Sequence, residues 1–283
     1  MTFPLFLKGV AHIEKPKDFA GKAETVSQFL EEIKKWHVQN KIDAPDAHRQ
    51  VWYRGHSDDA YALWPGVYKE RFTTASSTIY GEDAEEKRLN LERVMLNEFR
   101  ISGATLLDAN EIFWVYFIAQ HYGMPTRLLD WTTNPLAALF FAAKGKNESK
   151  NGEIVIMHAP DVLPGRTDPN IPRGISTMRH PYVQDAIRPS FWHEPNVKGR
   201  LAPVLPITPD NRVGRIGQQS SCFTLHMHRA EPQTNPTLSR VGIPRAAKVL
   251  ILDELRKLNI NEFTIYNDLD HLALEIKQNW HTV

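Results

Sequence analysis

Two short stretches concentrate side chains able to do chemistry. Gln120-His121-Tyr122-Gly123-Met124-Pro125-Thr126-Arg127-Leu128-Leu129-Asp130-Trp131-Thr132-Thr133-Asn134-Pro135 places His, Tyr, Arg, Asp and Thr side chains between two apolar runs. Each has a fixed donor and acceptor inventory and needs a partner if buried, so the stretch reads as one wall of a site. The second, Val51-Trp52-Tyr53-Arg54-Gly55-His56-Ser57, is an apolar strand start that runs into Arg-Gly. An Arg at a strand end offers a planar fork suited to phosphate or carboxylate, and a glycine beside it lets a ligand or another backbone come close. Any function depends on the two stretches facing each other.

Each feature also has a structural reading. Arg54 would serve equally in a salt bridge beside a turn glycine. His121-Tyr122-Gly123 suits a helix C-terminus, where His complements the dipole and Gly caps; as site residues, the His would bond a hydroxyl and the Tyr ring would stack on a base. Alternation puts Arg127, Leu129 and Trp131 on one side of an extended chain and Leu128, Asp130 and Thr132 on the other. Asp130 would then hold Arg54 or Arg127, and Thr132 and Thr133 would cap the next helix or touch a ligand. That helix start offers a positive dipole end to an anion. Cys222, His226 and His228 share a face if 220–228 is a strand, a spacing open to a transition metal or to an ordinary strand face. Glu275 falls on an amphipathic helix, where a solvated position is the default.

The elements that must position these groups follow from periodicity. Thr25-Val26-Ser27-Gln28 fits a capping box, followed by Val26, Phe29, Leu30, Ile33 and Trp36 at helical spacing. Residues 49–54 read as a strand and 55–59 as a loop. Helices are expected over 82–101, with Leu91, Val94, Met95 and Phe99 on one face, and over 109–121, ended by Gly123 and Pro125. Asn134-Pro135 starts a helix that is apolar nearly all round and therefore buried. Residues 153–158, 220–228 and 241–244 read as strands. The Pro-rich 159–211 reads as a surface excursion with room for a short helix or two, and two helices close the chain over 245–283, the first carrying Val249, Leu252, Leu255 and Leu258. Without regular βα alternation the fold class is α+β. The absence of G-x-G-x-x-G, P-loop, G-x-S-x-G and H-E-x-x-H patterns argues against Rossmann, P-loop, serine hydrolase and zincin chemistry.

The 283 residues allow one large domain or two small ones, and 42% hydrophobic content supports a sizeable core. With 34 Lys+Arg against 33 Asp+Glu the net charge is +1, which gives no general attraction to nucleic acid or membrane. A lone cysteine, Cys222, excludes an internal disulfide. With no charged-then-apolar leader read and no apolar run of spanning length, a soluble cytoplasmic protein is expected.

Trp52-Tyr53-Arg54-Gly55-His56, the segment from Gln120 to Thr132, and Asn134-Pro135-Leu136-Ala137-Ala138-Leu139-Phe140-Phe141-Ala142 together closely resemble the FRG domain. Its Phe-Arg-Gly motif stands here as Tyr53-Arg54-Gly55. The likeness is strongest over 25–145 and continues through 215–224 and 267–273, which implies a single extended FRG unit over 1–283. Tyr-Arg-Gly at the end of an early strand, and Asp130-Trp131-Thr132-Thr133 before a buried helix, also look like the first two motifs of Arg-Ser-Glu-class ADP-ribosyltransferases. That second resemblance implies small split β-sheets flanked by helices, with helical additions, clasping NAD as substrate with no metal. It implies ADP-ribose transfer to a protein or nucleic acid, in a toxin or phage-defence setting. Arg54, His121, Tyr122, Thr132 and Gln219 would be catalytic, and Tyr53, Arg54, Gly55, Thr126, Arg127, Asp130 and Thr133 would bind NAD. Gln219 stands where that class carries a late-strand Glu. The rival expectations are a non-catalytic nucleotide or nucleic-acid binding module and a metal-dependent nuclease or hydrolase.

Overall fold

The structure is a computed structural model that describes residues 19–42, 51–69, 79–81, 83–107, 112–145, 149–159, 175–191, 204–208, 220–227 and 238–281. In chain order the elements are β1 (Phe19–Lys22), α1 (Val26–Gln39), β2 (Val51–His56), α2 (Ala84–Ser102), α3 (Ile112–His121), β3 (Leu128–Thr132), α4 (Pro135–Ala143), β4 (Gly152–His158) and β5 (Ser176–Thr177). There follow α5 (Pro181–Ile187), β6 (Val204–Thr208), β7 (Ser221–His226), β8 (Ser239–Ile243), α6 (Lys248–Lys257), α7 (Glu262–Tyr266) and α8 (Leu269–His281). The fold is α+β. No described helix is long and apolar enough to cross a membrane.

The strands form one mixed eight-stranded sheet in the order β1-β8-β4-β2-β3-β7-β6-β5. This differs from two separate small sheets, yet the sheet has a weak seam at its centre. β2 pairs with β4 along its whole length, from Val51↔His158 to His56↔Glu153, and β3 pairs with β7 throughout, from Leu128↔Leu225 to Thr132↔Ser221. Between β2 and β3 the ladder has the single pair Tyr53↔Thr132.

Because cross-strand partners share a face, this pair fixes how the layers lie. Tyr53 belongs to a core in which α1, α4 and α6 cover β2, β4 and β8 with Phe29, Trp36, Leu139, Phe140, Ile251 and Leu255. Leu128, on the Thr132 side of β3, belongs to a core in which α2, α3 and α5 cover β3, β6 and β7 with Leu96, Tyr116, Phe117, Val183 and Ile187. Two helix groups thus cover one face of the sheet, one on each side of the seam. The other face carries Trp52, Leu63, Leu129, Trp131, Val155 and Cys222.

Local chemistry explains most element ends. Thr25 caps α1 by accepting from the Gln28 N–H, while the Gln28 side chain reaches the Glu24 N–H instead of closing a capping box. Asn134 caps α4 by accepting from Leu136 N, with Pro135 first in the helix. β2 runs two residues past the expected 49–54, so Gly55 and His56 are strand instead of loop. The described parts of 159–211 supply the expected short helix, α5, but they also supply the sheet strands β5 and β6, which a surface excursion does not. Pro206 is tolerated in β6 because β5, only two residues long, leaves it close to a sheet edge. On α2 the buried side turns to Arg88, Glu92 and Leu96, leaving Val94 exposed; on α6 it turns to Ile251 and Leu255, leaving Val249 and Leu258 exposed.

Candidate functional site

A cavity of about 1080 Å³ opens at the seam between β2 and β3. Its walls include Tyr53, Arg54, Gly55 and His56 of β2; Asp130, Trp131 and Thr132 of β3; Tyr61, Trp64 and Lys69 from the segment after β2; Phe141, Lys144 and Gly145 at the end of α4; Ser221; and Tyr266. Its described walls therefore combine three cationic side chains, one carboxylate and several aromatic rings.

Arg54 sits where the ladder fails. Its Nη1 donates to the main-chain oxygen of Asp130 and lies 3.8 Å from the Asp130 carboxylate, so a side chain spans the gap that strand pairing leaves open. Its Nε donates to His56 Nε2 at 3.0 Å. Behind it, His56 Nδ1 is 3.1 Å from Glu153 Oε1, which also accepts from Arg240 Nη1 at 2.6 Å. Burial pushes His56 down to about 4, further helped by Arg54 and opposed by its hydrogen bond to Glu153, so the ring is neutral at pH 7. Burial also lowers Arg54 from its usual value, with Asp130 opposing, which leaves it a cation.

Asp130 is positioned from the other half of the sheet. Thr126 Oγ1 accepts from Leu128 N at 3.0 Å and donates to Gln120 Oε1 at 2.6 Å, and Gln120 Nε2 donates to Asp130 Oδ2 at 2.9 Å. The chain of donors fixes which way the Gln120 amide points. The Asp130 side chain keeps 54% of its surface exposed. Thr132 Oγ1 accepts from Asn134 N at 3.0 Å, tying the cavity wall to the start of α4.

Gly55 answers to a helix and not to a ligand. A Cβ there would lie 2.0 Å from Ala138 O and 2.7 Å from Ala142 N, so α4 crosses β2 at backbone contact. That approach brings Phe141 and Lys144 to the cavity. Lys144 pairs with Glu262 at 2.7 Å, and the Phe141 and Tyr266 rings meet edge to face, 6.1 Å between centroids. The Tyr53 hydroxyl meets His37 Nε2 at 3.2 Å, and burial raises its pKa.

Of the residues expected from sequence, the cavity collects Tyr53, Arg54, Gly55, Asp130 and Thr132. Thr126 stands behind the wall, wholly buried, and acts through Gln120. Arg127 is a correction. It precedes β3 and turns to the helix side, where Nε donates to Glu92 Oε2 at 2.9 Å and Nη2 donates to Ala186 O and Ser190 Oγ. Burial acts to lower its pKa, but Glu92, Tyr116 and Tyr68 outweigh it and the net shift is upward. His121 and Tyr122 are not among the residues lining the cavity: His121 ends α3, Tyr122 follows it 71% exposed, and Gly123 at φ 83° makes the turn. Thr133 also lies off the lining, its N–H bonded to Ser220 O. Gln219 and His228 fall outside the described residues; Ser221, paired with Thr132, is the nearby lining residue. Glu275 is on α8, 3.7 Å from Arg256 Nε.

His56, Gln120, Tyr61, Trp64, Lys69, Phe141, Lys144 and Tyr266 are contributors the sequence reading did not select. Only His56 and Gln120 carried a signal, as polar members of the two stretches already singled out. Trp131 Nε1 donates to Thr224 Oγ1 on β7, and the same hydroxyl lies 2.9 Å from His226 Nε2. That ring nitrogen is engaged, Cys222 is buried, and no group of three potential ligands gathers among the described residues.

Residues 49–151 match the family model of the FRG domain. No curated protein and no solved structure matches the chain. The matched span supplies β2, β3 and α4, and with them Arg54, Asp130 and Thr132; Ser221 and Tyr266 come from outside it.

Proposed function

We propose that this protein, which carries an FRG domain, binds NAD in the seam cavity and transfers ADP-ribose from it to a macromolecular acceptor. One observation carries the reading: a single cavity of about 1080 Å³ joins Arg54, Lys69 and Lys144 to the rings of Tyr61, Trp64, Phe141 and Tyr266. The size is at the upper end for small-molecule and cofactor pockets. Cations suit a pyrophosphate, and aromatic faces suit the flat rings of a dinucleotide. Arg54 would take the pyrophosphate. The departing nicotinamide takes the glycosidic electron pair, positive charge grows at the ribose carbon, and a carboxylate aimed there lowers the barrier. Asp130 is the carboxylate among the described lining residues, and an acceptor nucleophile would then complete the transfer.

Calorimetric titration with NAD tests the binding, and labelled NAD incubated with cell lysate tests the transfer. Arg54→Ala should abolish NAD binding while leaving the fold intact; unchanged affinity would refute the scheme. A toxin or anti-phage role belongs to the same proposal: expressing the parent should label host macromolecules and arrest growth, and Arg54→Ala should do neither. A second reading, a nucleotide binder without turnover, is favoured by one detail. Asp130 Oδ2 already accepts from Gln120 and faces Arg54, which leaves less of its charge for a ribosyl cation. NAD binding with neither released nicotinamide nor labelled acceptor would select that reading.

A further inference from the structure

We propose that His56 is a positioning residue that selects which edge of the Arg54 guanidinium meets the ligand; this rests on reading the seam cavity as an anion site. An arginine Nε carries one proton and can only donate. His56 Nε2, 3.0 Å away, must therefore present its lone pair. The ring proton of the neutral imidazole then sits on Nδ1 and is donated to Glu153 Oε1 at 3.1 Å. Glu153 is wholly buried and the same Oε1 accepts from Arg240 Nη1, so the imidazole is braced at its far nitrogen. The Tyr61 ring meets it edge-on, with 5.9 Å between centroids.

The consequence lies in the guanidinium's geometry. Arginine clasps an oxyanion through either its Nε–Nη2 edge or its terminal Nη1–Nη2 edge. With Nε engaged by His56 and one Nη1 proton given to the Asp130 carbonyl, the protons of Nη2 and the second of Nη1 make no hydrogen bond among the described residues, the Asp130 carboxylate standing 3.8 Å from Nη1. The terminal edge is left to grip the anion. His56 touches neither phosphate nor ribose in this scheme; it acts through Arg54.

The test has two independent readouts. Long-range 15N–1H NMR at pH 7 reports directly which His56 nitrogen carries the proton, whether or not any ligand binds. Calorimetry with inorganic pyrophosphate compares the parent with His56→Phe, which keeps ring volume without an acceptor, and His56→Gln, which restores an acceptor oxygen. The expected results are a bare Nε2 in the parent, affinity about tenfold weaker in His56→Phe, and affinity within about threefold of the parent in His56→Gln. A merely structural role would lower thermal stability in both variants without separating their affinities. A proton on Nε2, or equal affinity in His56→Phe and the parent, overturns the proposal. A parent that binds neither pyrophosphate nor NAD overturns the anion-site reading and this inference with it, whereas a parent that binds both with the wrong tautomer overturns the inference alone.

Discussion

Arg127 lies three residues before Asp130 in the chain, yet the structure gives the two residues opposite work. Replacing Arg127 with Ala removes a buried guanidinium whose Nε and Nη2 bond Glu92, Ala186 O and Ser190 Oγ at 2.7 to 2.9 Å. Glu92, wholly buried, keeps the Tyr116 hydroxyl, the Ser190 hydroxyl and the Arg127 N–H but loses its countercharge. Breaking a buried pair by deleting one partner costs about 3–5 kcal/mol, because the remaining charge stays desolvated. At roughly 2–4 °C per kcal/mol for a chain near this size, Tm should fall by about 6–20 °C. The ligand affinity of the folded fraction should not change, since no atom of Arg127 reaches the cavity. Differential scanning calorimetry and titration with NAD well below Tm measure the two quantities separately. Pairing Arg127→Met with Glu92→Gln should recover more than about 1 kcal/mol of the loss through coupling between touching residues. Stability within about 1 kcal/mol of the parent, or lost affinity at unchanged Tm, would show that Arg127 belongs to the site and that its placement here is wrong.

Three further outcomes follow from local geometry. Gly55→Ala drives a methyl into the backbone of α4 and should cost about 1–3 kcal/mol or more in urea unfolding; a neutral substitution would refute the close crossing of α4 over β2. His56 is at about 4 when folded and 6.5 when unfolded, so the unfolded chain takes up the proton first as pH falls. Its contribution is complete above 6.5, declines toward 4 and is level below; between pH 7 and 5 the parent should lose about 2 kcal/mol of stability that His56→Gln retains, and parallel pH profiles would contradict this. Cys222 is buried, and burial, with Asp130 adding, holds its thiol well above the ordinary value. It should therefore resist iodoacetamide at pH 8 until urea unfolds the chain, and rapid labelling of the native protein would rule that out.

What the sequence disclosed depends on how far each signal reaches along the chain. The start of α4 was readable because Asn134 caps a bond only two residues away and Pro135 fits the first helical turn. β4 and β7 were readable as strands from their own apolar runs. β6 was not, because Pro206 breaks the local pattern and its tolerance depends on β5 ending so soon beside it. The α2 face was read in part, with Leu91 buried and Phe99 packed on the core but Val94 exposed, for a related reason: a buried Glu92 reads as a surface residue until its partner, 35 residues later, is known.

The same reach governs the site. Arg54 and Arg127 present the same side chain in equally suggestive settings, and nothing within either stretch says which one faces the cavity. Gly55 was read as making room for a ligand or another backbone, and the backbone it makes room for lies more than 80 residues further on, in α4. His121 and Tyr122 show the converse: helix end, glycine and exposure are all local, and the capping explanation available in sequence is the one the structure supports. Along β3 alternation held where the strand is real, sending Leu129 and Trp131 to one face and Leu128, Asp130 and Thr132 to the other. It failed at Arg127 because that residue precedes the strand. The seam itself has no sequence signature at all. It arises because β2 continues its ladder with β4 while β3 continues its own with β7, so the two halves separate beyond Tyr53 and Thr132 and leave Arg54 to close the gap. A side chain recruited to replace missing strand pairing is also one held 22% exposed beside a carboxylate, which makes the irregularity in the sheet and the placing of Arg54 in the cavity wall two consequences of one arrangement.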